Sequence, residues 1–161
     1  MTNAEELTAG PPEEVALENA YRKAAAVGAQ PSAAVLGVDT IVALGSRIYG
    51  KPADRPAAGE TLRALSGRRH AVVSGLCLIE PGPPERVRTA AARTVVEFRD
   101  LPEAAIERYL DSGEWRERAG GYAIQGRGAM LVRGIDGDYL NVVGLPVAAL
   151  VDLAPWLIAR R

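Results

Sequence analysis

The run Val35-Leu36-Gly37-Val38-Asp39-Thr40-Ile41-Val42, followed by Ile48-Tyr49-Gly50-Lys51-Pro52, organises the chain. Small and β-branched apolar residues in succession predict a strand buried on both faces. In its middle stands one carboxylate, Asp39, with no basic neighbour close in sequence. An isolated buried carboxylate is expensive, so this position calls for a metal, a cation or a wet cleft. Lys51 follows twelve residues later between Gly50 and Pro52, a pair that favours a tight, fixed turn. An acid at the end of the buried strand and a cation on the adjoining turn suggest a site for a phosphorylated substrate. The plain structural alternative is a strand-terminating Asp and a surface Lys.

At 161 residues the chain is most economically one domain, and 48% apolar content with 19 basic and 20 acidic residues fits a soluble globular protein. Without a basic excess nothing points to nucleic acid, and no apolar run reaches transmembrane length. The acidic, polar start is not that of a secretory signal. A single cysteine, Cys77, cannot form an internal bridge, which fits a reducing cytoplasm, and its apolar surroundings suggest an inert thiol. One His and one Cys exclude metal sites built from His or Cys clusters. Any metal must therefore be held by oxygen, which makes magnesium the natural candidate. Seventeen of the 19 basic residues are Arg, and only Lys23 and Lys51 are Lys. This hints at sites where a compact ammonium suits better than a planar fork.

In chain order, residues 11 to 28 predict a helix, entered at Pro11 and Pro12, with Glu13 and Glu14 at its positive end and Gly28 closing it. Leu17, Ala20, Tyr21, Ala24 and Val27 share the face expected to meet the sheet. Asn19 and Lys23 lie at its border, either solvated or reaching into a cleft. The organising strand is expected over 33–39, turning at Gly45-Ser46-Arg47. A helix is expected over 57–65, strands over 70–79 and 86–98, and a short helix from 101–103 to 112–113. His70 reads as structural. The glycine-dense run from Gly120 to Gly128 matches neither a Walker loop nor a dinucleotide fingerprint. Gln125 within it could pair with the polar edge of a base, or the run could be a bulged turn. A strand over 130–135, a turn at Gly137-Asp138 and a last helix from Pro146 towards Arg160 complete the chain.

Six ordered segments together resemble the Maf family of nucleoside triphosphate pyrophosphatases: Glu18-Asn19-Ala20-Tyr21-Arg22-Lys23-Ala24, Leu36-Gly37-Val38-Asp39-Thr40-Ile41-Val42, Tyr49-Gly50-Lys51-Pro52, Leu65-Ser66-Gly67-Arg68-Arg69-His70-Ala71-Val72, Ala119-Gly120-Gly121-Tyr122-Ala123-Ile124-Gln125-Gly126 and Asn141-Val142-Val143-Gly144-Leu145-Pro146. The resemblance covers nearly all of the chain. It implies an α/β fold, a twisted mixed sheet flanked by helices, in two lobes with a central cleft.

The implied reaction is attack of water on the α-phosphorus, releasing pyrophosphate and the monophosphate. Asp39 would accept the proton of that water or hold the activating metal. Lys23 and Lys51 would neutralise the phosphates beside a divalent cation, Mg2+ or Mn2+. Thr40 and Gln125 match the positions that choose the base in the branch acting on dTTP and UTP, modified nucleotides being a further substrate class. Glu6 corresponds loosely to another acidic site residue. Homodimers are common in the family, and neither nucleic acid nor a membrane is an expected partner.

Family members begin with a strand and a Ser-x-Ser-Pro-Arg-Arg turn that grips the triphosphate, and no Ser-Pro-Arg occurs here. The expectation is a family domain over 1–161 lacking that segment, with an exposed sheet edge and no arginine clamp. Two further readings follow, a nucleotide-binding member with little catalysis and a structural partner pairing through its open edge.

Overall fold

A computed structural model describes residues 6–28, 30 and 32–159. The start of the chain before Glu6 lies outside the described residues, and the last helix, expected to run from Pro146 towards Arg160, ends at Leu153 ahead of Pro155, with a separate 3-10 turn at Pro155–Leu157. Among those described, strands β1 (Val35–Leu44), β2 (Arg47–Tyr49), β3 (Arg69–Glu80), β4 (Arg86–Phe98) and β5 (Val132–Asp136) form one sheet in the order β2-β1-β3-β4-β5. The helix-flanked sheet of an α/β protein stands as expected. Its pairings, however, are antiparallel at all four junctions, so the expected mixture of parallel and antiparallel pairs is absent among the described residues. The physical reason lies in the connections. Two tight returns, Gly45-Ser46 between β1 and β2 and residues 81–85 between β3 and β4, each reverse the chain.

Helix α1 (Pro12–Val27) covers one face of the sheet. Its buried residues are Val15, Ala16, Asn19, Ala20 and Ala24, whereas Tyr21 and Val27 are exposed. The helix is thus rotated from the expected face, because its small residues permit a closer approach than Tyr21 would. A Cβ added to Gly37 would lie 2.1 Å from the Ala20 carbonyl oxygen, and one on Gly75 would lie 2.3 Å from that of Ala16. Glycine in β1 and β3 facing alanine in α1 lets backbone rest directly on backbone.

The opposite face carries two groups of helices. At one end α2 (Arg55–Leu65) and α3 (Glu103–Ser112) seal the largest core cluster, with Leu62, Leu65, Ile106 and Leu110 against Val72, Val96 and Phe98. Asp54 starts α2 by accepting a hydrogen bond from the Ala57 amide at 2.8 Å. At the other end α4 (Tyr139–Val143) and α5 (Val147–Leu153) rest on β3 and β4. Asn141, fully buried, ties α4 down by donating to the Val72 carbonyl at 3.1 Å and to Thr94 Oγ1 at 3.0 Å. Cys77 is buried beneath α1, its thiol pushed up by desolvation, in line with the inert reading.

Candidate functional site

Strand β1 extends to Leu44, so Asp39 sits mid-strand and not at its end as expected. Alternation sends Asp39 to the α1 side and Thr40 to the other. On the α1 side, Asp39 is only 6% exposed, yet each of its carboxylate oxygens has a hydrogen-bond partner. Its Oδ1 lies 2.5 Å from Lys23 Nζ, and its Oδ2 accepts from Asn19 Nδ2 at 3.1 Å. The cation that sequence proximity failed to supply comes from one turn of α1 beyond Asn19, where i and i+4 share a face. Lys23 also reaches Glu6 Oε1 at 2.8 Å, so one ammonium bridges two carboxylates. Burial alone would lower the Lys23 pKa. The hydrogen bonds and charges of Asp39 and Glu6 overcome that and raise it, keeping the ammonium charged.

Glu6 is held in place through its neighbour. The Leu7 amide donates to Asn19 Oδ1 at 2.7 Å, and Asn19 Nδ2 donates to the Leu7 carbonyl at 3.0 Å. Asn19 is thereby saturated, 2% exposed, between the incoming chain and Asp39. A cavity of about 90 Å3 opens here, lined by Glu6, Asn19, Asp39, Gly50 and Lys51 among others.

On the opposite face, Thr40 Oγ1 lies 2.8 Å from Ser74 Oγ and 3.5 Å from the Gly144 carbonyl that it approaches as donor. A second cavity, of about 240 Å3, is walled by Thr40, Lys51, Glu117, Tyr122, Gln125 and Gly144 among others. Lys51 lines both cavities. Its ion pair is with Glu117 Oε2 at 3.5 Å, a residue 85% exposed and in the left-handed region at φ 58°. Thr40 and Ala119 likewise line both cavities, beside the edge of β1 that β2 only partly covers. β2 pairs only with Val42, Ala43 and Leu44, so among the described residues no strand covers that edge from Val35 to Ile41.

The loop bearing Gln125 is fixed from behind by α3 and the segment after it. The Ala123 amide donates to Tyr109 Oη at 3.1 Å, while the amides of Arg127 and Gly128 donate to the two Glu114 carboxylate oxygens at 2.9 and 3.1 Å. Tyr122 turns inward, its hydroxyl 2.8 Å from His70 Nε2, with edge-on ring contacts among His70, Phe98 and Tyr122. His70 is thus structural, as expected.

Asp39 and Lys51 therefore line one cavity, with Lys23 paired to its Asp39 and Glu6, and Lys51, Thr40 and Gln125 line the adjoining one. Lys51 makes no ion pair with Asp39; its recorded partner is Glu117. Asn19, Ser74, Glu114 and Glu117 complete the arrangement. Only Asn19 had a sequence signal, its position one turn before Lys23.

A divalent cation fits this oxygen set in one specific sense. Among the described residues there is no cluster of three or more acidic, His or Cys side chains that could hold an ion unaided. Asp39 and Glu6 on one cavity do match the one or two carboxylates with which Mg2+ is usually held, phosphate and water supplying the remainder. No helix among the described residues is long and apolar enough to cross a membrane.

Comparison with known proteins extends this picture along the chain. A dTTP/UTP pyrophosphatase of Pyrococcus furiosus is 41% identical over 152 residues, covering 94% of this chain and 78% of the relative. One of Thermococcus gammatolerans is 42% identical over 152 residues, covering 94% and 80%. A third, of Exiguobacterium sibiricum, is 48% identical over 126 residues, covering 78% of this chain and 63% of the relative. The family model described as Maf-like protein matches residues 2–155, which span every element around the two cavities, and the chain belongs to that family.

Proposed function

We propose that this protein is a nucleoside triphosphate pyrophosphatase acting on dTTP, UTP or their modified forms. The observation that carries the reading is the buried Asp39, bound to Lys23 on a cavity that Lys51 shares with a second, larger one. The relatives named dTTP/UTP pyrophosphatases support the same reaction and substrate class. The triphosphate lies towards Lys51 and Lys23, and the base enters the larger cavity. There Gln125 offers both an amide donor and an acceptor to the pyrimidine edge, and Thr40 completes the wall.

Water attacks the α-phosphorus, the bond from that phosphorus to the bridging oxygen breaks, and pyrophosphate departs. Asp39 orients the water and accepts its proton. The hydrogen bonds from Lys23 and Asn19 fix its carboxylate while leaving a lone pair on each oxygen. Lys51 offsets charge on the leaving phosphates, which is the main demand of phosphoryl transfer. Asp39 and Glu6 would hold a divalent cation, Mg2+ or Mn2+, whose chemistry is further charge neutralisation on the phosphates.

Pyrophosphate release measured over a panel of triphosphates tests the reading. Asp39→Asn, nearly isosteric, should lose about a thousandfold or more in rate, on the order of 4 kcal/mol of barrier, with an unchanged far-UV spectrum. Full activity in that variant removes Asp39 from the mechanism. Gln125→Ala should narrow discrimination between dTTP and other triphosphates more than it slows turnover; unchanged selectivity would separate Gln125 from the base.

A further inference from the structure

The largest of the cavities described lies away from the candidate site, behind the loop that carries Gln125. It measures about 420 Å3 and is lined by Leu101, Pro102, Ala105, Tyr109, Met130 and Leu131, with Arg99, Asp100, Arg108 and Arg127 at its margin. That volume falls within the range of small-molecule sites, and the wall is mostly aliphatic and aromatic.

Basic side chains outnumber acidic ones among the charged residues of this cavity. The acids of α3 are already engaged: Glu103 and Glu107 with Arg63, Glu107 and Asp111 with Arg55. Glu114 is occupied by two backbone amides. Arg99, Arg108 and Arg127 make no ion pair with a carboxylate among the described residues. Three guanidiniums against the single carboxylate of Asp100 give the margin a net positive charge over an apolar floor. Met130, 68% exposed, adds an adaptable thioether at the opening.

We propose that this cavity is a second ligand site, for a small organic anion with a flat apolar body. The body would lie against Leu101, Tyr109 and Leu131, and its carboxylate, sulfonate or phosphate would meet the arginine margin, where planar forks suit such groups. The site shares no lining residue with the two cavities around Asp39 and Thr40. It stands independently of the proposed reaction.

The test uses two probes of nearly the same shape, 1-anilinonaphthalene-8-sulfonate and the uncharged N-phenyl-1-naphthylamine. Each is titrated into the protein with fluorescence and amide NMR shifts as readouts. Saturable binding of the sulfonate is expected, with shifts centred on residues 99–109 and 127–131. The neutral compound should bind about tenfold or more weakly, and Arg108→Glu should weaken the sulfonate to a similar degree. Ala105→Trp, which fills the cavity, should abolish binding. Shifts centred on Thr40 and Lys51 would overturn the proposal, as would equal affinity for both probes or sulfonate binding unchanged in Arg108→Glu. Because Arg108 lies exposed on α3, that variant keeps the test decisive if Ala105→Trp fails to fold.

Discussion

Lys23 occupies the place between Asp39 and Glu6 where two negative charges would otherwise face each other. Removing it therefore does more than delete one contact, because it strands a carboxylate that is almost entirely buried. The variant Lys23→Met should lose about 1–3 kcal/mol of stability, less than for a fully buried pair, since the Lys23 side chain is 35% exposed. Adding Asp39→Asn to it should restore part of that loss, because the stranded charge is then gone. Urea denaturation of both single variants and the double variant checks this cycle; strictly additive losses would mean that the two side chains do not interact energetically. Asp39 was legible in the sequence because a charge inside an apolar strand has few explanations. Glu6 and Glu117 were barely legible or not at all. Their roles depend on a bridging ammonium and on a cation brought from another element, and neither leaves a pattern in neighbouring residues.

The placement of α1 on the sheet decides whether Lys23 reaches Asp39. Gly37 and Gly75 are the floor on which the helix rests, and neither tolerates a side chain without moving backbone. Gly75→Ala should cost about 1–3 kcal/mol by overpacking. It should also lower activity, because α1 would be lifted together with Asn19 and Lys23. Calorimetry and pyrophosphate release check the two halves; a stable variant with full activity would show that the helix position is not critical.

Elements with a clear period were read well. β4 runs over Arg86–Phe98 as the alternation of Val87, Thr89 and Ala91 indicates, and α3 starts and stops at its Pro102 and Gly113 signals. α1 was located correctly and Ala20 and Ala24 are buried as expected, but the helix is rotated so that Tyr21 and Val27, favoured by hydrophobicity, are exposed where close packing favours alanine. α4, with five residues, is too short for any helical period to show, and it is held by Asn141 instead. The last strand begins at Val132, two residues later than expected, because Arg127–Leu131 forms a 3-10 turn supported by Glu114.

At the scale of the whole molecule, the buried imidazole of His70 packs against Phe98 and Tyr122 of the principal core. His70 is 2% exposed and burial depresses its pKa from 6.5 to about 4, so it stays neutral in the folded protein. The unfolded chain takes up a proton on this residue below about pH 6.5 and the folded one does not. The associated stability is therefore present above that pH and is lost as the pH falls towards 4. The slope should approach about 1.4 kcal/mol per pH unit, for a total on the order of 3 kcal/mol. Denaturation curves between pH 7 and 4 should show this fall, and His70→Gln should flatten it. An unchanged slope in that variant would assign the acid sensitivity to other groups.

The edge of β1 that no strand covers from Val35 to Ile41 among the described residues has a consequence for how a ligand would be read. Two chambers on opposite sides of a sheet would ordinarily act as separate receptors. Here a single ammonium, that of Lys51, belongs to both, and before any ligand arrives it is shared with Glu117. Drawing that charge towards a polyanion on one side changes the field felt on the other. On the proposed reading, the number of negative charges on a ligand and the identity of its ring would be weighed jointly, in one event.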